Sequence, residues 1–368
     1  MKLVCKREPL FAAASKTFSA VSKKSTIPAL EGILLKAEDG VLTLCGYDLE
    51  IGIRTVVECS VVESGSVVLP GKILNDIIRN LPGENVNIIC DDKNKCLISS
   101  GISEFTVSGI AASEFPELPV INDSVSVTLK SSALADLIKK TIFAIAVVDY
   151  RPVYTGAKFS IENKKLTVTA IDNYRLAKAE TPVDFKGEES FIIPGKSLHE
   201  LLRLLTDKTE EPVKISIEKR HILFEIDKGV FISRLLEGEF INADTVIPKK
   251  SCTFVKIKTK DFIDSLERVS LMISTKQKSP VRCEFTDNLL KLLCITSIGK
   301  GYDEAVCEIT GEDIEIGFNH MYLLDALRAC DTDQVKLSMT NPSTALIITP
   351  NEGEDFVFLV GPMKLKNE

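Results

Sequence analysis

The 368-residue chain has no tryptophan and only three histidines, His199, His221 and His320, which lie far apart. None sits in an H-E-x-x-H or similar ligand spacing, so a histidine-based metal centre has no basis. Walker A, G-x-G-x-x-G and G-x-S-x-G patterns are missing as well, which leaves nucleotide binding and serine hydrolysis without a motif. "VLPGKIL" offers a Gly–Lys pair but lacks the upstream glycine of a phosphate loop. No apolar run approaches the roughly 18 residues of a membrane-crossing helix, and "MKLVCKREPLF" lacks a signal-peptide core, so a cytoplasmic protein with no membrane partner is expected. A basic excess is lacking too. The formal net charge of −7 excludes a protein that grips nucleic acid by bulk electrostatics and requires any polyanion to meet locally gathered Lys and Arg. The ten cysteines show no C-x-x-C, so the expectation is reduced, mostly buried thiols with neither zinc nor a disulfide framework.

What is present is an ordinary globular composition, 45% hydrophobic and 26% charged, long enough for two or three domains. Internal repeats organise it. "VVLPGKILNDIIRNL" (67–81), "FIIPGKSLHELLRLL" (191–205) and "IGFNHMYLLDALRAC" (316–330) align. Leu74, Ile77, Ile78 and Leu81 fall on one helical face, as do Leu198, Leu201, Leu202 and Leu205, and Leu323, Ala326, Leu327 and Cys330. An acid recurs at Asp76, Glu200 and Asp325, and a base at Arg79, Arg203 and Arg328.

A second block keeps the same register. Pro28 and Pro152, Gly32 and Gly156, and Asp48 and Asp172 share one offset, and "EDG" and "ENKK" mark hairpin turns between alternating segments. A third version from Ser279 keeps the proline and the turn but drifts by a few residues. Each copy opens with a helix, "EPLFAAASKTFSAVSKK" being the first, with Pro9 near its start and a stripe of Leu10, Ala14, Phe18 and Val21. "SEFPELP" and "GEFINADTVIP" read as links. The expected fold is α+β: three tandem copies, 1–122, 123–247 and 248–368, each of two helices on antiparallel sheet.

The outer helix faces carry Lys16, Lys23, Lys72, Arg79, Lys139, Lys196, Arg203, Arg268 and Arg328. Outward cations are what any solvated helix shows. Their recurrence through repeats of an acidic chain is the unusual feature.

The segment "TVTAIDNYRLAKAE" (167–180) gathers Asp172, Asn173, Tyr174 and Arg175. Its repeat-mate "CGYDLEIGI" keeps Asp48 but not the Tyr–Arg pair, so the aspartates read as structural and Tyr174, Arg175 and Leu176 as what the second copy added. No nucleophile with a paired base stands beside them. An enzyme or small-ligand protein using Asp172, Tyr174 and Arg175 is the alternative reading.

Over its whole length the chain resembles the bacterial replicative DNA polymerase β sliding clamps: in its three copies, the two Pro–Gly–Lys helix starts, "TAIDNYRLA", "SEFPELP" and the terminal "PMKL". The resemblance implies a non-catalytic processivity factor without cofactors, a head-to-tail homodimer closed as a ring around double-stranded DNA. It implies partners in the form of replicative and repair polymerases, the clamp loader and other clamp-motif proteins. Carried over by position, their peptide pocket comprises Tyr154, Ile171, Asp172, Asn173, Tyr174, Arg175, Leu176, Ile241, Thr245, Val246, Val360, Pro362, Met363, Lys364 and Leu365. Asn173, Thr245, Gly361 and Lys364 depart from the family pattern. DNA-facing positions would be Lys24, Lys72, Arg79, Arg151, Lys196 and Arg203, and the subunit junction Phe105 with Leu271 and Met272 of the neighbour.

Overall fold

The computed structural model describes residues 1–121, 125–205, 210–273 and 279–365. Among the described residues, six α-helices, two per copy, accompany strands that pair only antiparallel: α1 (Arg7–Phe18), α2 (Gly71–Asn80), α3 (Ser131–Thr141), α4 (Gly195–Leu205), α5 (Thr259–Ser270) and α6 (His320–Ala329). The equivalent hairpins turn at Asp39–Gly40, Asn163–Lys164 and Asp287–Asn288, every one of these residues at positive φ. Two successive left-handed residues make the turn whose twist matches paired strands, which explains the Gly, Asn and Asp found there. The turn of the third copy therefore keeps register although the residues around it drift.

The chain divides into two compact units: residues 1–132 with 200–235, and 133–199 with 236–368. Each contains one 12-stranded sheet. The second copy is shared between them. In the first unit its strand Gly229–Arg234 pairs with Ile51–Glu63 of the first copy, with Phe231 opposite Ile53. In the second unit its strand Arg175–Pro182 pairs with Phe356–Val360 of the third copy, with Phe358 opposite Ala177. Since Asp48 and Asp172 are repeat-mates, Ile53 and Ala177 are equivalent positions, and the two junctions use one register.

The α1 stripe is partly as expected. Leu10 and Ala14 are buried with Ala13 and Thr17, but the helix ends at Phe18, leaving Val21 and Lys23 beyond it. Ser19, Val21 and Ser22 are weak helix formers, and the Thr17 hydroxyl donates back to the Ala13 carbonyl at 2.8 Å, a local bond that competes with the helical ladder. In α2, Leu74 and Ile78 are buried, and Leu81 closes the stripe just past its end.

One expectation is overturned. Cys90 and Cys96 form a disulfide rather than remaining thiols. The turn "DDKNK" closes a hairpin whose last facing pair is these two residues, an arrangement hidden in a spacing that carries no motif. Of the eight free cysteines, Cys5, Cys45, Cys283, Cys294 and Cys307 are buried, Cys59 and Cys330 are half-buried, and Cys252 is exposed.

Candidate functional site

The "IDNYR" turn is built by Asp172. Its Oδ1 accepts the backbone N–H groups of Tyr174 (2.7 Å) and Arg175 (2.9 Å), and its own N–H donates to the Arg175 carbonyl at 3.0 Å. Asp48 does the same in the first copy, accepting from Glu50 (3.0 Å) and Ile51 (2.7 Å). Such self-capping turns are what Asp side chains favour. The second copy then adds charge and aromatic surface. Arg175 Nε donates to Asp172 Oδ2 at 3.0 Å, and its Nη1 reaches Asp325 Oδ2, on α6, at 2.5 Å. The guanidinium also lies 4.6 Å from the ring centre of Tyr322, which stacks on Tyr174 at 5.6 Å. Burial, followed by the Asp172 charge, raises the Tyr322 phenol above its ordinary range. Asp172 and Arg175 are thus engaged with each other and with α6.

Apolar surface adjoins this turn. Half-buried Ile171 packs against two clusters: one of Ala146, Val153, Tyr154 and Ile192, the other of Leu176, Ala243, Ile347 and Leu359. Tyr154 meets Phe240 edge-on at 5.2 Å, and the Arg151 guanidinium lies 4.1 Å from the centre of the Tyr154 ring. The link from the second to the third copy runs along this surface. Lys178 holds Asp244 at 2.8 Å, leaving Ile241, Thr245 and Val246 exposed beside buried Ala243.

The C-terminal segment is fastened at two points. Gly361 N–H donates to the Tyr174 carbonyl at 2.7 Å, and Met363 N–H to the Gly317 carbonyl at 2.7 Å. A Cβ at Gly361 would stand 2.9 Å from the Tyr174 carbonyl oxygen, so glycine suits this close approach. Pro362, Met363 and Leu365 are half-buried and Lys364 is exposed, whereas Val360 is fully buried in the sheet.

Of the expected pocket residues, Tyr154, Ile171, Leu176 and the residues around Ala243 share adjoining clusters, and Tyr174 touches the tail. Asn173 is exposed, and Val360 is buried in the sheet, paired with Arg175. Sequence reasoning missed Tyr322, Phe240 and Ile347, which line the same region. Asp325 was visible only as the recurring acid. Asp76 and Glu200 pair with Arg79 and Arg203 within their own helices, but Asp325 pairs with Arg175, and Arg328 turns to Glu267.

The expected DNA-facing cations are all exposed. Lys24 and Lys72 have no ion-pair partner among the described residues, while Arg79 and Arg203 are paired within their helices. Arg151 differs, being stacked over Tyr154 as well as Tyr150. Phe105 is 42% and Leu271 76% exposed. Met272 lies over Gly301, where a Cβ would come within 3.0 Å of the methionine side chain. Among the described residues no metal-ligating group of three or more acidic, His or Cys side chains occurs, and no helix is long and apolar enough to cross a membrane.

Comparison with known proteins gives the family. Residues 1–119, 128–242 and 244–364 match the N-terminal, central and C-terminal domains of the DNA polymerase III beta subunit. The beta sliding clamp of Halalkalibacterium halodurans is 33% identical over 99% of this chain and 100% of its own length. That of Bacillus subtilis is 31% identical with the same coverage. The crystal structure of the Bacillus subtilis DNA polymerase sliding clamp superposes with a TM-score of 0.95 at 29% identity, covering 100% of both chains. A Pseudomonas aeruginosa sliding clamp bound to griselimycin gives 0.94 at 28% identity, covering 99% of this chain and 100% of its own. With all three domains matched in order across the chain, this protein belongs to the DNA polymerase III beta subunit family, the β sliding clamps.

Proposed function

We propose that two of these chains close head to tail into a ring that holds the replicative DNA polymerase on duplex DNA without catalysing any reaction. The observation that carries the reading is the unfilled third junction. In both internal junctions the last strand of one copy pairs with the long strand after the "Asp" turn of the copy before or beside it, and a phenylalanine sits at the contact. Phe231 and Phe358 are fully buried there. The first copy's last strand, Ser103–Ser108, is instead an edge strand of its sheet. Phe105 stands at the same position as Phe231 and Phe358, exposed. Its equivalent target is Gly301, which Met272 overlies. A neighbour's third copy therefore supplies what Phe105 lacks, and a head-to-tail contact that rotates to closure makes a ring.

Closure by topology resolves the charge. An encircling ring needs only weak, sequence-neutral phosphate contacts, from Lys24, Lys72, Arg79, Lys196 and Arg203, with Arg151 at the edge of the peptide site. Acidic surface elsewhere discourages binding outside the hole. The surface around Ile171, Tyr174, Tyr322 and Met363 is read as the dock for short linear motifs of polymerases, the clamp loader and other clamp-binding proteins. Rigid aromatic walls beside an adaptable methionine suit varied peptides. The copies are assigned as 1–122, 123–247 and 248–368, the first boundary lying outside the described residues, and the protein is assigned to the cytoplasm.

The test is primer extension by the replicative polymerase with clamp loader and ATP. Product length should rise when this protein is added and return to the distributive pattern when it is omitted. Unchanged length with an active loader would reject the reading.

A further inference from the structure

Cys5 and Cys59 stand directly opposite each other across the paired strands Lys2–Lys6 and Ile51–Glu63. The Cys59 N–H donates away from this partner, to the Gly40 carbonyl at 3.0 Å. The two cysteines therefore form a non-hydrogen-bonded pair, the class in which facing Cα atoms approach to about 4.5 Å and side chains come closest. Cys90 and Cys96 are a pair of the same class, since Cys90 N–H donates to Met1 on the opposite side at 2.9 Å, and they are joined. Cys5, Cys90 and Cys96 belong to one core cluster, with Cys59 packed against it.

Access distinguishes the free pair from an inert one. A cavity of about 890 Å³ is lined by Cys5, Cys59, Ala13, Lys16, Lys228 and Phe231, among others. Lys16 and Lys228 are exposed, Cys59 is half-buried, and Cys5 is 1% exposed. Of the two thiols lining the cavity, Cys59 is the more accessible to a small molecule. Burial holds both thiols above their ordinary range, so the pair rests protonated.

We propose that Cys5 and Cys59 are a redox-active pair that closes to a second cross-strand disulfide by exchange with a small disulfide entering this cavity. Cys59, as thiolate, attacks one sulfur of glutathione disulfide and expels a glutathione thiolate, which takes up the proton that Cys59 lost. Cys5, as thiolate, then attacks the Cys59 sulfur of the mixed disulfide and expels the second glutathione, which takes up the Cys5 proton. The dithiol is oxidised by two electrons and glutathione disulfide is reduced to two thiols. The new bond fastens the first strand to the long strand that also carries the junction with the second copy.

The test incubates the full-length protein with glutathione disulfide and maps its peptides without reduction. The expected product links the Cys5 and Cys59 peptides, lowers the free-thiol count by two, and raises Tm by about 5 °C in a manner reversed by dithiothreitol. Cys59→Ser abolishes both the link and the rise. Cys5→Val leaves glutathione trapped on Cys59. A wild-type protein carrying glutathione on Cys59 without linkage to Cys5, or modified only at exposed Cys252, would overturn the proposal.

Discussion

Arg175 Nη1 lies 2.5 Å from Asp325 Oδ2, joining the second copy's added turn to a helix of the third. The bond is 12% exposed on the arginine side and lies beside the Tyr174–Tyr322 stack. It fixes the aromatic wall of the proposed peptide dock while holding two repeats together. Arg175→Ala would strand two carboxylates and free Tyr322. A loss of about 1–3 kcal/mol is expected, read by chemical denaturation, together with weaker binding of a clamp-motif peptide by calorimetry. Wild-type stability and affinity would refute this role.

Phe105→Arg places a charge where its two repeat-mates are buried. Light scattering should then find a monomer in place of the dimer, with the monomer's own unfolding curve little changed because Phe105 is exposed within one chain. Retention of the dimer would contradict the equivalence of the three junctions.

Removing the tail from Pro362 together with Met363→Ala should abolish polymerase stimulation and leave the dimer intact. The tail touches Tyr174 and Gly317, both in the second unit. Loss of dimerisation on this change would argue against the assignment.

Lys24→Glu and Lys72→Glu remove cations with no carboxylate partner among the described residues. Each should weaken DNA binding equally across sequences and reduce the slope of log affinity against log salt by about 1. Arg203→Ala should do less, since Arg203 is partly neutralised by Glu200 at 2.9 Å. The order of effects, measured by anisotropy on short duplexes, checks the claim.

Stability should fall in alkali. Burial raises the Cys45 thiol from 9.0 to about 12 and the Cys307 thiol from 9.0 to about 11. Lys140 is also raised from 10.5: burial opposes this, but hydrogen bonds and charge from Asp136 and Asp331, each 2.8 Å away, outweigh it. A raised folded-state pKa means the protonated form is favoured by folding. The stabilisation is complete below the unfolded value and is lost as pH climbs from there to the folded value. Tm should therefore decline from about pH 9 upward, the lysine contributing above about 10.5. A flat profile from pH 8 to 11 would contradict it.

The repeats made the architecture legible, because helix periodicity and hairpin turns are local signals. The turn residues carried the register of all three copies even where flanking residues drifted. Asp172 was legible as structural through its mate Asp48. What stayed hidden were pairings between distant segments. Tyr322 and Asp325 join the Arg175 turn only through tertiary packing, and Cys90 meets Cys96 only once the hairpin closes. The end of α1 was misplaced because the apolar stripe continues past the last helical hydrogen bond. Phe105 could be matched by family position, but its reason, a shared register with Phe231 and Phe358, emerges only from the strand pairing.

The central claim is topological, and the most direct measurement loads the protein onto nicked circular DNA with clamp loader and ATP, followed by gel filtration before and after linearisation. The account predicts retention on the circle and release from the linear form. Equal, salt-sensitive binding to both forms would contradict it, because contact rather than encirclement would then hold the protein on DNA.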